Sequence, residues 1–108
     1  MPPQYLRGFV VNVFFPYTEI VDGKTRPGII LEKCGDNEYT IMYVTKTDLR
    51  GKCKGKWIEK NSKEGKEMKL THDSFVNYER IKDLKTIFID SYRGRCSFID
   101  EIEAELGL

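Results

Sequence analysis

The sequence predicts a mainly β domain with some α: a small, strongly twisted antiparallel barrel carrying a C-terminal helix. Three observations carry this. Short runs of β-branched and aromatic residues recur, the first ended by Pro16 and the second by Gly35-Asp36-Asn37. The C-terminal residues switch to a helical period. A chain this rich in strand formers must also hide its strand edges, and a barrel does so.

Gly8-Phe9-Val10-Val11-Asn12-Val13-Phe14-Phe15 reads as the first strand. Pro16 ends it, and Tyr17 to Thr25 form a polar loop. Gly28 to Cys34 is the second strand, apolar on both faces through Ile29, Ile30 and Leu31. Gly35-Asp36-Asn37 is a turn signal. Glu38 to Thr45, with Tyr39, Ile41, Met42, Tyr43 and Val44, is the third strand. Lys46 to Lys69 holds three glycines and many lysines around one strong apolar pair, Trp57-Ile58. It predicts a long, mobile loop with a short strand or two. Asp73 to Tyr78 and Leu84 to Ile89 supply two further strands. Ser97 is placed to cap a helix, with Asp100 as the capping-box acid. Ile99, Ile102 and Leu106 recur on one face of that helix, and Gly107 closes it.

With 108 residues and no linker or repeat, residues 1–108 are expected to form one domain. No apolar run is long enough to span a membrane. The stretch Met1 to Arg7 lacks a signal-peptide core. Cys34, Cys53 and Cys96 form an odd, widely spaced set without metal-ligand spacing. A cytoplasmic protein with reduced thiols, no bound metal and no cofactor is the expectation. The net charge of +1 hides an asymmetry. Lys46 to Lys69 holds nine basic and four acidic residues, so it carries +5, and the remainder carries −4. A basic segment on an acidic body suits either an anionic partner or a solvated loop.

The stretch most suggestive of chemistry is Gly23-Lys24-Thr25-Arg26-Pro27-Gly28. Pro27 pushes Arg26 towards extended geometry at the mouth of a strand. A guanidinium held there suits a carboxylate or phosphate gripped by two parallel hydrogen bonds.

Several stretches in order resemble one family. They are Arg7-Gly8-Phe9-Val10-Val11, Arg26-Pro27-Gly28-Ile29-Ile30-Leu31, Tyr43-Val44-Thr45, and Asp73-Ser74-Phe75-Val76 with Glu79-Arg80-Ile81-Lys82. Together they resemble the MazF/PemK mRNA-interferase toxins. The resemblance implies an SH3-like barrel of the CcdB/PemK type, working as a homodimer. It also implies metal-independent cleavage of single-stranded RNA at short sequences, held in check by an antitoxin. The family's catalytic arginine falls on Arg26, and its catalytic threonine or serine on Thr45. The stretch lining the RNA groove falls on Asn77, Glu79, Arg80 and Lys82. The usual Gln-Ile-Arg-Thr run reads Arg80-Ile81-Lys82-Asp83 here, and the lysine-rich stretch Lys52 to Lys66 is this chain's own.

RNA brings its own nucleophile, the 2′-hydroxyl. The enzyme must deprotonate it, neutralise charge on the phosphate and protonate the leaving 5′-oxygen. Arg26 suits the charge, and Thr45 offers a hydroxyl donor. His72, the sole histidine, and Glu79 are the candidates for proton transfer. Tyr17, Lys24, Ser74, Asn77, Arg80 and Lys82 are the RNA-binding candidates. Phe14, Phe15 and Trp57 offer further stacking surfaces, although Phe15 reads better as core. Two other functions fit the same sequence: an inactive SH3-like binding module, or a gyrase poison on the same fold.

Overall fold

The computed structural model describes residues 4–14 and 25–107. Six strands form one antiparallel sheet: β1 (Phe9–Val13), β2 (Arg26–Gly35), β3 (Glu38–Thr45), β4 (Gly55–Ile58), β5 (Ser74–Lys85) and β6 (Ile89–Arg95). Helix α1 (Lys63–Glu67) separates β4 from β5, and α2 (Ile99–Leu106) follows β6. The fold is mainly β, as the sequence predicts.

The spatial order is β4-β5-β3-β2-β1-β6. Among the described residues β4 and β6 are edges that do not pair with each other, so the expected barrel is not closed by hydrogen bonds. Both faces are nevertheless covered. Neighbouring residues divide between two apolar clusters, as side-chain alternation requires. Val10, Ile29, Met42 and Val44 join Met68, Phe98, Ile99 and Ile102 on one face. Val11, Ile30, Ile41 and Tyr43 join Tyr39, Leu84 and Ile89 on the other. The two-faced apolar run Ile29-Ile30-Leu31 therefore reports a strand buried on both sides.

Several elements differ from the sequence expectation. Lys46 to Lys69, expected as a long, mobile loop with a short strand or two, does hold a short strand around Trp57-Ile58, β4, but also holds helix α1, which the sequence does not predict. Ser62 caps α1, its Oγ accepting from the Gly65 N–H at 3.1 Å. A five-residue helix is too short to display a period. The strand expected at 73–78 runs on to Lys85 as β5, whereas the one expected at 84–89 does not form: Leu84 and Lys85 end β5, Thr86–Phe88 is a 3-10 turn, and Ile89 opens β6. The polar middle of β5, Glu79 to Asp83, is exposed apart from a half-buried Ile81, which the sequence mimics as a loop. β6 carries no strand signal of its own, because Asp90-Ser91-Tyr92-Arg93 has the polarity of an edge. Ser97 does not cap α2; Phe98 holds that position without a side-chain bond. Gly107 does end the helix, in the left-handed conformation at φ 74°. No helix among the described residues is long and apolar enough to cross a membrane.

Two irregularities interrupt the ladder. Between the pairs Met42↔Ile81 and Val44↔Val76, β5 carries four residues, Asn77 to Arg80, against Tyr43 alone. Between Val10↔Gly94 and Val11↔Tyr92, β6 carries one extra residue, Arg93. Bulges of this kind bend a strand and re-aim its side chains.

Candidate anion-binding cleft

β2 and β3 run antiparallel through Gly28↔Tyr43 and Ile29↔Met42. Extending that register brings Arg26, the first residue of β2, opposite Thr45, the last of β3. Both residues line a cavity of about 350 Å³. They also line an adjoining one of about 220 Å³, with Val44 and Thr47 common to both. The pair thus stands where two hollows meet.

The larger cavity takes Lys46, Leu70, Thr71, His72, Ser74 and Arg93 as further walls. The smaller takes Tyr43, Leu49, Asn77 and Arg80. Among the described residues no carboxylate and no thiol lines either one. Arginine, lysine, hydroxyl and imidazole groups make this a place for an anion. Among the described walls they include none of the carboxylates that most often hold a hard divalent cation.

Local bonds hold several of these groups. Thr45 Oγ1 accepts from the Thr47 N–H at 3.2 Å, which fixes the oxygen and leaves its own O–H to donate. Ser74, almost fully buried, donates its Oγ proton to the His72 carbonyl at 2.8 Å and so holds the turn carrying the imidazole. His72 Nδ1 lies 3.0 Å from Thr71 Oγ1. In the β5 bulge, Asn77 Oδ1 accepts from the Glu79 N–H at 3.0 Å, a local turn that replaces ladder bonds. Arg80 stacks over the Tyr43 ring at 4.8 Å from its centroid.

The sequence candidates therefore fall into three groups. Arg26, Thr45, His72, Ser74, Asn77 and Arg80 converge on the adjoining cavities. Glu79 and Lys82 line neither. The Glu79 carboxylate instead accepts from the Lys54 backbone N–H and ties down the segment before β4. Tyr17, Lys24 and Phe15 lie outside the described residues. Of the remaining aromatics, Phe14 is exposed, and Trp57 is half-buried beneath Arg50 at 4.8 Å.

Sequence reasoning missed Arg93 altogether. In Tyr92-Arg93-Gly94-Arg95 it looks like one surface charge among several. In the fold it is half-buried, and burial pushes its pKa below the ordinary arginine value. No sequence signal distinguishes it, because the bulge that turns it inward depends on β1.

No protein-family model matches the chain, and no curated protein does. The chain is similar to a solved endoribonuclease from a mycobacterial species, determined in complex with its cognate antitoxin. The TM-score is 0.62 over 97% of each chain, at 17% sequence identity. At that identity the likeness shows a common fold.

Proposed function

We propose that the adjoining cavities are the active site of a toxin endoribonuclease of the MazF/PemK type. It cuts single-stranded RNA at short sequences, without metal, and is restrained by an antitoxin. The observation carrying this reading is the cavity that joins Arg26, Thr45 and His72 with no carboxylate among its described walls. The fold shared with an endoribonuclease–antitoxin complex supports it.

The chemistry follows from the residue types. The Arg26 fork takes two non-bridging oxygens of the scissile phosphate and offsets the charge that grows as the 2′-oxygen attacks. The Thr45 hydroxyl donates a further hydrogen bond to the same phosphate. His72 lines the cavity and is the proton-transfer group, whereas Glu79 lines neither cavity and is occupied by a backbone amide. Attack by the 2′-oxygen breaks the bond to the 5′-oxygen. The products are a 2′,3′-cyclic phosphate and a 5′-hydroxyl. Asn77 and Arg80, in the adjoining cavity, meet the bases or phosphates beyond the cut. The working form is a homodimer in the cytoplasm.

Digestion of mixed-sequence RNA in EDTA, with chemical mapping of the new ends, tests this. Cyclic phosphates and 5′-hydroxyls are expected at a short motif, and DNA should survive. Arg26→Ala should lose on the order of a hundredfold or more in rate, as loss of a main oxyanion donor does. Arg26→Lys should fail nearly as badly, because a point charge cannot reproduce the fork. Thr45→Ala should be milder, and Thr45→Ser milder still. Full activity in Arg26→Ala, or activity abolished by EDTA, would overturn the mechanism.

A further inference from the structure

Arg93 is a partly buried cation whose hydrogen-bond partners among the described residues are all neutral. Its Nε donates to the Lys69 carbonyl at 3.0 Å, and one terminal nitrogen donates to Asn12 Oδ1 at 2.8 Å. Asn12 in turn donates to Ser91 Oγ at 2.9 Å, and Ser91 donates to Asp90 at 3.1 Å. The nearest acid in this chain of bonds thus stands two neutral side chains away. A guanidinium has five N–H donors in a rigid fork. The described residues occupy only part of that fork, and the described walls of the cavity it lines supply no counter-charge.

The backbone sets the direction in which Arg93 points. In a regular strand, neighbouring side chains point to opposite faces. Here the bulge puts positions 93 and 94 on the same face. A Cβ on Gly94 would meet Glu67 and Met68, while Arg93 reaches Lys69 just beyond them. Lys69 itself is held at φ 59°, a conformation a lysine rarely adopts. Such ladder irregularities often lie beside functional sites.

Arg93 and Arg26 enter the cavity from different strands, with β1 between them. Two strand spacings separate β6 from β2 by about 10 Å. The Arg93 fork is tied to Lys69 and Asn12 on the β6 side of the cavity, away from the β2 strand that carries Arg26, an arrangement that suits successive phosphates of one strand.

We propose that Arg93 is a second phosphate-binding residue of the cleft, holding a phosphate adjacent to the one that Arg26 grips. This rests on the endoribonuclease reading above. It makes the preferred ligand a single strand with a phosphate on each side of the cut nucleotide. Arg93 positions the strand and does not touch the reacting atoms.

The test uses a mixed-sequence single-stranded DNA pool, which carries the phosphates but lacks the 2′-hydroxyl and stays intact. Binding is measured across salt concentrations. Arg93→Gln should bind roughly ten- to a hundredfold more weakly, as loss of one charge-assisted contact does. Its log–log salt slope should be shallower by about 0.7, one single-strand phosphate contact. Arg93→Lys should restore the slope but not the whole affinity. Asn12→Asp provides a second reading that keeps the guanidinium in place. A carboxylate at that position pairs with Arg93, so the slope should again fall by about 0.7 in the folded variant. A salt slope unaltered in Asn12→Asp and in folded Arg93→Gln overturns the role of Arg93, even while wild type binds the pool and cuts RNA. Wild type that neither binds the pool nor cuts RNA overturns both readings.

Discussion

Replacing Gly94 by alanine probes the contact on which one wall of the cleft depends. The new Cβ would lie 2.4 Å from the Glu67 carbonyl oxygen and 2.8 Å from the Met68 carbonyl carbon. Both are backbone atoms at the end of α1, so no side chain can swing aside. Either β6 or the α1 terminus must move. Overpacking of this kind costs about 1–3 kcal/mol. In a domain of this size each kcal/mol lowers the melting temperature by about 4–8 °C. A fall of roughly 5–20 °C is therefore expected. Total stability of roughly 5–15 kcal/mol leaves the variant folded at room temperature. The displaced backbone leads directly into Leu70, Thr71 and His72, which line the larger cavity, so any RNA cleavage should weaken as well. Thermal unfolding followed by circular dichroism provides the measurement. Gly35→Ala is the control, since its Cβ would meet only the Glu38 Cβ at an ordinary 3.7 Å. Equal melting temperatures for Gly94→Ala and Gly35→Ala would refute the close packing of β6 on α1.

Lys52 and Lys54 are exposed, so changing both to Gln should weaken RNA binding uniformly and flatten its salt dependence without moving the cleavage motif. Lys56 is a different case: its ammonium pairs with Glu101 at 3.1 Å and lies over Phe98 at 4.7 Å, so Lys56→Gln should lower the melting temperature by more than its effect on the salt slope suggests. Ile102 is completely buried against the first cluster, and Ile102→Ala should cost about 2–5 kcal/mol, read as a lower urea midpoint at unchanged m-value. Arg7 hydrogen-bonds Glu103 and Asp100 on α2 and holds the Glu103 carboxyl below the ordinary glutamate range. A carboxyl lowered in the folded state adds stability above its unfolded pKa of about 4.3 and loses it as the pH falls through the folded value. The melting temperature should therefore drop more steeply as the pH falls below about 4.3 in wild type than in Arg7→Ala; parallel curves would count against the ion pair.

The sequence by itself determined what depends on near neighbours along the chain. Pro27 sets Arg26 extended at the start of a strand, Asp36-Asn37 reverses the chain into β3, and Gly107 ends α2 in the left-handed conformation. Unbroken apolar runs such as Ile29-Ile30-Leu31 announce burial on both faces, because no polar alternation is left for solvent. Tertiary structure alone decided what depends on register between distant segments. Whether Glu79 or His72 reaches the cavity turns on the bulge opposite Tyr43 and on Ser74 gripping the His72 carbonyl. Arg93 faces inward because β6 carries one residue more than β1 can pair, and its side chain is caught by Asn12 from far along the chain. A one-residue slip turns a side chain to the other face of a sheet. Such a slip is set by the partner strand, so it leaves no trace in the local pattern of either strand.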